Sequence, residues 1–415
     1  EGHGQFERVE LSAAAAILSY VEKTQIGARP PLSVPEREAA LSGMAIDAAT
    51  RANLELMQTL SGKRKGSLFD AIDRTVTGAG ARMLATRLSS PSTDASLIHS
   101  RQDALSWALS NPSRLVQLRK LLKRLPDMAR ALSRLILQRG GPRDLAAIRD
   151  GLIGAQFLAD ELQNSSGLVE NIYHSLNAVK LGELSKLVGR FGDALAEELP
   201  LQKRDGGFIR TGFAIELDEH RGLRDESRKI IAGLQSQYSS ETGVKALKIR
   251  HNNVLGYFVE VTAQNAGPLQ EDDDQRFIHR QTMSNAMRFT TTELSALQSK
   301  IAGAANAALC LELELFDVFL AEIGAQAEPI QKLSQQLAEL DVICGLATLA
   351  DHDDYCRPIV DDSLAFSIEG GRHPVVEQAL RATGETFVAN TCTLSGDNAG
   401  QIWLLTGPNM AGKST

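Results

Sequence analysis

The chain has 415 residues, 43% of them apolar and 23% charged, and carries a formal net charge of −7. A chain of that length implies about two to four domains, and no run of about 18 apolar residues or basic-then-apolar leader points to a membrane. The acidic balance excludes a surface that binds polyanions everywhere, but leaves room for a local basic patch.

In chain order, Leu11–Glu22 is an Ala-rich helix that resembles the tail of a preceding element, and the start at Glu1 rather than Met suggests a fragment. After the Pro-rich stretch from Arg29 to Pro35, Asp47 is placed to cap a helix with Leu54, Leu56 and Leu60 at its apolar positions. From there to about Leu199 the pattern is almost wholly helical. Turn signals punctuate it at Gly62, Ser89 to Pro91, Asn111-Pro112, Gly140 to Pro142 and Pro200. Arg114, Arg119, Lys120, Lys123 and Arg124 alternate with leucines in one of these helices. Such a pattern reads as a solvated helix face before it reads as a nucleic-acid surface.

Arg204 to Arg210 reads as a short strand or turn, and a long helix is predicted from about Glu216 to Gly243, with Leu223, Ile230, Leu234 and Tyr238 as its stripe. The pattern then changes to period two. Tyr257, Val259 and Val261 fall on one face, Phe258, Glu260 and Thr262 on the other, behind a turn marked by Asn252-Asn253 and Gly256. A second long helix follows. Leu294, Leu297, Ile301, Ala304, Ala308, Leu311, Leu315 and Val318 form a heptad seam, so two rods are expected to flank a small β insertion as a stalk and its tip. One more helix leads to Arg357-Pro358, after which Leu364–Gly371, Glu385–Ser395 and Gln401–Gly407 read as short strands opening an α/β domain. The four cysteines, Cys310, Cys344, Cys356 and Cys392, have no metal-ligand spacing and read as reduced thiols of a cytoplasmic protein.

The last nine residues, GPNMAGKST, match G-x-x-x-x-G-K-[ST] behind an apolar run. Gly407 and Gly412 let successive amide hydrogens point at phosphate oxygens, Lys413 reaches the β- and γ-phosphates, and Ser414 offers its hydroxyl to Mg²⁺. A nucleotide such as ATP is therefore the expected cofactor. The chain stops inside this motif, so most of the domain using it is expected to lie beyond Thr415.

The order of these segments resembles the MutS family of DNA mismatch-repair ATPases. AIDAATRANLEL and TVTGAGARMLATRLSSP resemble the entry to that family's lever, LKIRHNNVLGYFVEVT and FIHRQTMSNAMRFTTTEL the two halves of its DNA clamp, and AELDVICGLA, GRHPVVEQ, FVAN and GPNMAGKST the approach to its ATPase site. The resemblance implies a mainly α fold: a helical lever scaffold with an antiparallel helix stalk, a small β clamp insertion, and the start of an ABC-type P-loop domain. Its implied boundaries are a connector remnant at 1–20, lever at 21–224 and 301–357, clamp at 225–300, and truncated ATPase domain at 358–415. It also implies a homodimer that encloses mismatched double-stranded DNA, hydrolyses ATP with Mg²⁺ and recruits MutL.

By the same resemblance, Phe387 would stack on adenine and Asn409 would lie near the γ-phosphate. Pro408, Met410, Ala411 and Thr415 would complete the loop with Gly407, Gly412, Lys413 and Ser414; Ala411 stands where many members carry glycine. Phosphate contacts at the clamp would fall to Lys248, Arg250, Asn253, Arg280, Gln281, Asn285 and Arg288, each of which alone also reads as an ordinary exposed polar residue. The acidic run Glu271 to Asp274 is expected to point away from DNA, because acid beside phosphate weakens binding. The Arg372-His373-Pro374 turn is expected to be structural. Other readings stay open: a P-loop ATPase with coiled-coil arms, a MutS paralogue acting on branched or recombination DNA, and a helical DNA-binding scaffold without turnover.

Overall fold

A computed structural model describes residues 6–24, 43–163, 165–252, 255–270, 276–394 and 401–407. Its helices are α1 (Arg8–Thr24), α2 (Ala48–Asn53), α3 (Leu68–Ile72), α4 (Gly78–Ser89), α5 (Ala95–Leu109), α6 (Pro112–Leu122), α7 (Met128–Ile136), α8 (Pro142–Glu161), α9 (Gly167–Asn177), α10 (Gly182–Ala194), α11 (Ile215–Asp225), α12 (Ser227–Thr242), α13 (Gly267–Gln270), α14 (Thr292–Ala325), α15 (Ala327–Asp353) and α16 (Pro374–Thr383). The strands are β1 (Lys248–Asn252), β2 (Gly256–Thr262), β3 (Ile278–Thr282), β4 (Ala286–Thr290), β5 (Ser367–Gly371) and β6 (Asn390–Thr393). The chain is thus mainly helical, with small antiparallel sheets. It divides into two compact units, one made of Gly140–Ala146 and Gly189–Ala325 and the other of the remaining residues.

The unit outside those two segments is built around α15. Ile330, Leu333, Leu337, Leu340, Val342, Ile343, Ala347 and Leu349 are all buried, and a helix apolar on most of its faces must be enclosed. Helices α4, α5, α6, α7 and α9 pack on it. Two glycine-sized or polar details set how closely they approach. A Cβ at Gly345 would lie 3.1 Å from the backbone of Arg74 and Thr75, and one at Gly80 would lie 2.2 Å from Asp341 Oδ2. Asp341 is fully buried and accepts hydrogen bonds from Val76 N (3.0 Å), Thr77 N (2.8 Å) and Thr77 Oγ1 (2.6 Å), tying α15 to the start of α4.

Local signals place several helix starts. Asp47 caps α2 by accepting from Thr50 N at 2.8 Å, and Asn111 caps α6 ahead of Pro112. The helix behind Asp47 is shorter than expected, however. It ends at Asn53 with Leu54 as its C-cap, Glu55 takes a positive φ of 47°, and Leu54 and Leu60 are exposed while Leu56 is buried. The spacing of these three leucines, two and then four residues, does not keep one helix face.

On α6 the leucines at 115, 118 and 122 are buried. Arg114 stacks on Trp107 at 3.9 Å, and Arg119 donates to the Arg74 carbonyl at 2.7 Å. Two of the five cations are thereby used in packing, which favours the helix-face reading; Lys120, Lys123 and Arg124 remain exposed.

In the second unit, α11, α12 and α14 lead into and out of the sheet formed by β1 to β4. Two expectations are corrected here. The incoming rod is broken at Glu226 into α11 and α12. The outgoing rod is continuous over 34 residues, but its buried face is not the heptad seam throughout. Leu294, Ala304 and Ala308 are buried as expected, with Leu297 and Ile301 partly so. Beyond them Glu312, Phe316, Phe319 and Ile323 are buried, while Val318 is exposed. An α-helix drifts about 20° per heptad from a 3.5-residue repeat, so along a straight helix the contact stripe gradually leaves the heptad seam.

The distal part of that stripe meets aromatic partners. Phe316 lies edge-on to Phe208 at 6.0 Å and Phe319 to Phe191 at 5.2 Å. One turn before Phe316, Glu312 takes a hydrogen bond from Arg221 at 2.7 Å and from Phe208 N at 3.2 Å. The turn from Arg204 to Arg210 delivers Phe208 to this site through two positive-φ glycines, Gly206 and Gly207, and the bridge from Leu195 to Ile209.

The third expected strand, Gln401–Thr406, is not formed. β5 and β6 pair only with each other, and Ile402, Leu404 and Leu405 are exposed. An extended apolar run becomes a strand when its backbone donors and acceptors find a ladder, and no described strand offers one.

Candidate nucleic-acid interface

The four-stranded sheet has the order β1-β2-β4-β3, antiparallel throughout. Period-two alternation divides its residues as the sequence requires. Ile249, Tyr257, Val259, Val261, Met287 and Phe289 join Ile231, Leu234, Tyr238 and Leu294 of the helices in one core. Burial pushes the Tyr238 hydroxyl up to about 12, and its partners are Thr291 (2.7 Å) and Glu293 (3.0 Å).

The β1–β2 turn is fixed by two contacts. Asn252 Oδ1 accepts from Leu255 N at 2.7 Å, and Gly256 takes φ +68°, where a Cβ would meet Gln298 at 2.1 Å. Gln298 in turn accepts from Tyr257 N at 2.8 Å, holding the hairpin on α14.

The opposite face collects most of the residues singled out for phosphate contact. In register, Lys248 lies across from Glu260, Arg250 from Phe258, Glu260 from Arg288, and Arg288 from Gln281. Arg250 Nε donates toward Glu260 Oε1 at 3.2 Å and Arg288 Nε to Glu260 Oε2 at 3.1 Å. Arg288 also donates to Gln281 Oε1 at 3.0 Å and lies over the Phe258 ring at 4.5 Å. Two guanidiniums therefore share a single carboxylate, with Lys248 across from it in register.

Lys248, Arg250 and Gln281 are exposed, whereas the Arg288 side chain is only 19% exposed. Arg280 sits at the bulge between His279 and Gln281, out of the regular register, and Asn285 lies in the exposed β3–β4 turn. Asn253 and the acidic run Glu271 to Asp274 lie outside the described residues. Sequence reasoning placed Glu260 on the correct face but missed its role. Alternation along one strand carries that face, while the strand register that brings Glu260 to two arginines 10 and 28 positions away is set by pairing.

At the other candidate site, Phe387 is half-buried in the extended segment before β6, and Gly407 has φ +153°. Pro408, Asn409, Met410, Ala411, Gly412, Lys413, Ser414 and Thr415 lie outside the described residues. The Arg372-His373-Pro374 turn has structural partners. Arg372 donates to the carbonyls of Asp353 (2.7 Å) and Asp354 (2.8 Å) at the end of α15. His373 caps α16, whose first residue is Pro374. Arg381 of α16 donates to the buried Asp353 at 2.7 Å. The four cysteines are free.

A sheet with an apolar face on long helices and guanidiniums on the other face defines the class: a helical protein with a cationic β insertion. The sequence model of MutS domain III matches residues 49–347. The chain is 55% identical over its whole length to the DNA mismatch repair protein MutS of Rhizobium meliloti (strain 1021), covering 46% of that protein. It is 54% identical to MutS of Rhodopseudomonas palustris (strain HaA2) and 52% to that of Nitrobacter winogradskyi, covering all of this chain and 46% and 48% of theirs. The chain belongs to the MutS family. It spans about half the length of the curated relatives it matches.

Proposed function

We propose that the protein acts in DNA mismatch repair as an ATP-regulated clamp on duplex DNA, with the outer face of the β1–β4 sheet contacting phosphates. The observation carrying this reading is the grouping of Lys248, Arg250 and Arg288 on one sheet face whose other side is anchored to long helices. Cations on a rigid sheet suit sequence-independent phosphate contact, which positions a protein on DNA without reading bases. The names of the relatives support the mismatch-repair assignment. A homodimer that recruits MutL belongs to the same proposal, as do action in the cytoplasm and the division into connector remnant, lever, clamp and ATPase start. No described helix is long and apolar enough to cross a membrane.

Reversing charge at Arg250 and Arg288 to glutamate is expected to weaken homoduplex and mismatched duplex alike, and to flatten the salt dependence by about 0.9 for each phosphate no longer neutralised. Fluorescence anisotropy across a salt series measures both. A loss confined to mismatched DNA would assign specificity, rather than grip, to this face.

For ATP, the donor set of Gly407–Thr415 fits a triphosphate: backbone amides from a glycine-bounded loop, the ammonium of Lys413 and the hydroxyls of Ser414 and Thr415. Phe387 would face adenine, and Asn409 would lie toward the γ-phosphate. Ser414 would hold Mg²⁺, which neutralises charge on the phosphates when bound. In the whole protein Lys413→Ala is expected to lower ATP hydrolysis about a hundredfold or more, because a charge near the developing negative charge is removed. A steady-state phosphate-release assay showing near-normal turnover would remove Lys413 from this role.

A further inference from the structure

Glu260 occupies an unexpected place for a surface that grips phosphate. Its side chain is only 18% exposed, and its two carboxylate oxygens are divided between Arg250 and Arg288, one guanidinium each. Arg288 does not depend on it for placement, since Phe258 lies beneath its guanidinium and Gln281 Oε1 accepts from Nη1. Arg250 is more than half exposed and can turn toward solvent.

We infer that Glu260 is a built-in counter-charge that holds down the affinity of this face for the DNA backbone, by competing with phosphate for the guanidiniums of Arg250 and Arg288. The inference rests on the reading of this sheet as the phosphate-contacting face. With Glu260 ionised, three cations present a net charge of about two, and a phosphate oxygen approaching either arginine is also repelled by a carboxylate about one hydrogen bond farther away. Both interactions fall well within the screening length at physiological salt. The arrangement keeps the guanidiniums aligned while each one's grip on a given phosphate stays weak. A clamp that must move along a duplex requires contacts of this kind, and a fully cationic face would hold more tightly and release more slowly.

The test is the Glu260→Gln variant of the full chain, with a fluorescein-labelled homoduplex as probe and a salt series as the axis. Affinity at low ionic strength is expected to rise about threefold to tenfold, and the log–log salt slope to steepen by about 0.9, as one more cation becomes available to phosphate. Glu260→Asp keeps the charge and is expected to bind as the parent does. Glu260→Thr removes the charge with a side chain suited to a strand, so whichever neutral variant melts with the parent supplies the reading. Unchanged or weaker binding by a neutral variant with parental melting overturns the inference, as does equal tightening by Glu260→Asp. If charge reversal at Arg250 and Arg288 leaves homoduplex binding intact, the interface reading itself fails. If that reversal weakens binding and neutral Glu260 variants do not tighten it, only the role of Glu260 fails.

Discussion

Arg221→Ala is expected to lower the stability of the unit containing α11 and α14 by about 3–5 kcal/mol. The Glu312 side chain is 4% exposed and depends on Arg221, at 2.7 Å, and on the Phe208 amide, at 3.2 Å. Taking away the guanidinium leaves a buried carboxylate on a helix face it shares with the buried Phe316, with the neutral Phe208 amide for compensation. The loss of one partner from a buried pair costs far more than the pair contributes net, because the remaining charge has been desolvated without repayment. The double replacement Arg221→Met with Glu312→Leu is therefore expected to recover most of the loss. Urea denaturation followed by circular dichroism measures both. A cost below about 1 kcal/mol for Arg221→Ala, or no recovery in the double variant, would show that solvent reaches Glu312.

Asp341→Ala should cost about 3 kcal/mol or more in the other unit, since it orphans the amides of Val76 and Thr77 and the Thr77 hydroxyl inside the core. The pH dependence has a definite sign. Burial raises the Asp341 carboxyl above its ordinary 3.8, outweighing the hydrogen bonds from Thr77 and Val76 that lower it. The folded chain thus keeps the proton to higher pH than the unfolded one does. The contribution of Asp341 to stability is fully present below 3.8 and declines as pH rises through the folded-state value. The penalty of Asp341→Ala should accordingly shrink with rising pH across that window. A penalty growing with pH would mean that the hydrogen bonds, rather than burial, dominate this carboxylate. A Cβ at Gly80 would enter the same space, so this contact constrains the sequence from both sides.

Both buried acids were invisible to hydrophobic patterning for the same reason. A heptad reading counts Glu312 as solvent-facing, and Asp341 in AELDVICGLA looks like a polar interruption of an apolar run. Their burial is decided by partners that are distant in the chain: Arg221 lies 91 positions from Glu312, and Thr77 lies 264 positions from Asp341. The break between α11 and α12 at Glu226 likewise has no proline to announce it, only Gly222 one turn earlier, whose carbonyl accepts from Glu226 N. The run Gln401–Thr406 shows the opposite failure. Its residues suit a strand, but strand formation requires an adjacent ladder that a local pattern does not supply.

The local features that could be read were those with local causes. Asp47 and Asn111 cap helices because a side-chain oxygen two or three residues upstream meets an exposed amide. The β insertion was legible because alternation at 257–262 and a glycine at 256 are properties of one strand and one turn. The family itself was legible in the order of short motifs, and the match over residues 49–347 carries it.

The sequence by itself therefore determined the helical class, the position of the β insertion, the family and the division of residues 257–262 between two faces of one strand. Tertiary structure alone decided that Glu260 lies between Arg250 and Arg288, that the contact stripe of α14 moves to Glu312 and Phe316, and that Asp341 is a core residue. Periodicity is set by backbone geometry within a single element, whereas charge pairing and burial depend on which elements meet, and that is resolved only when the whole chain packs.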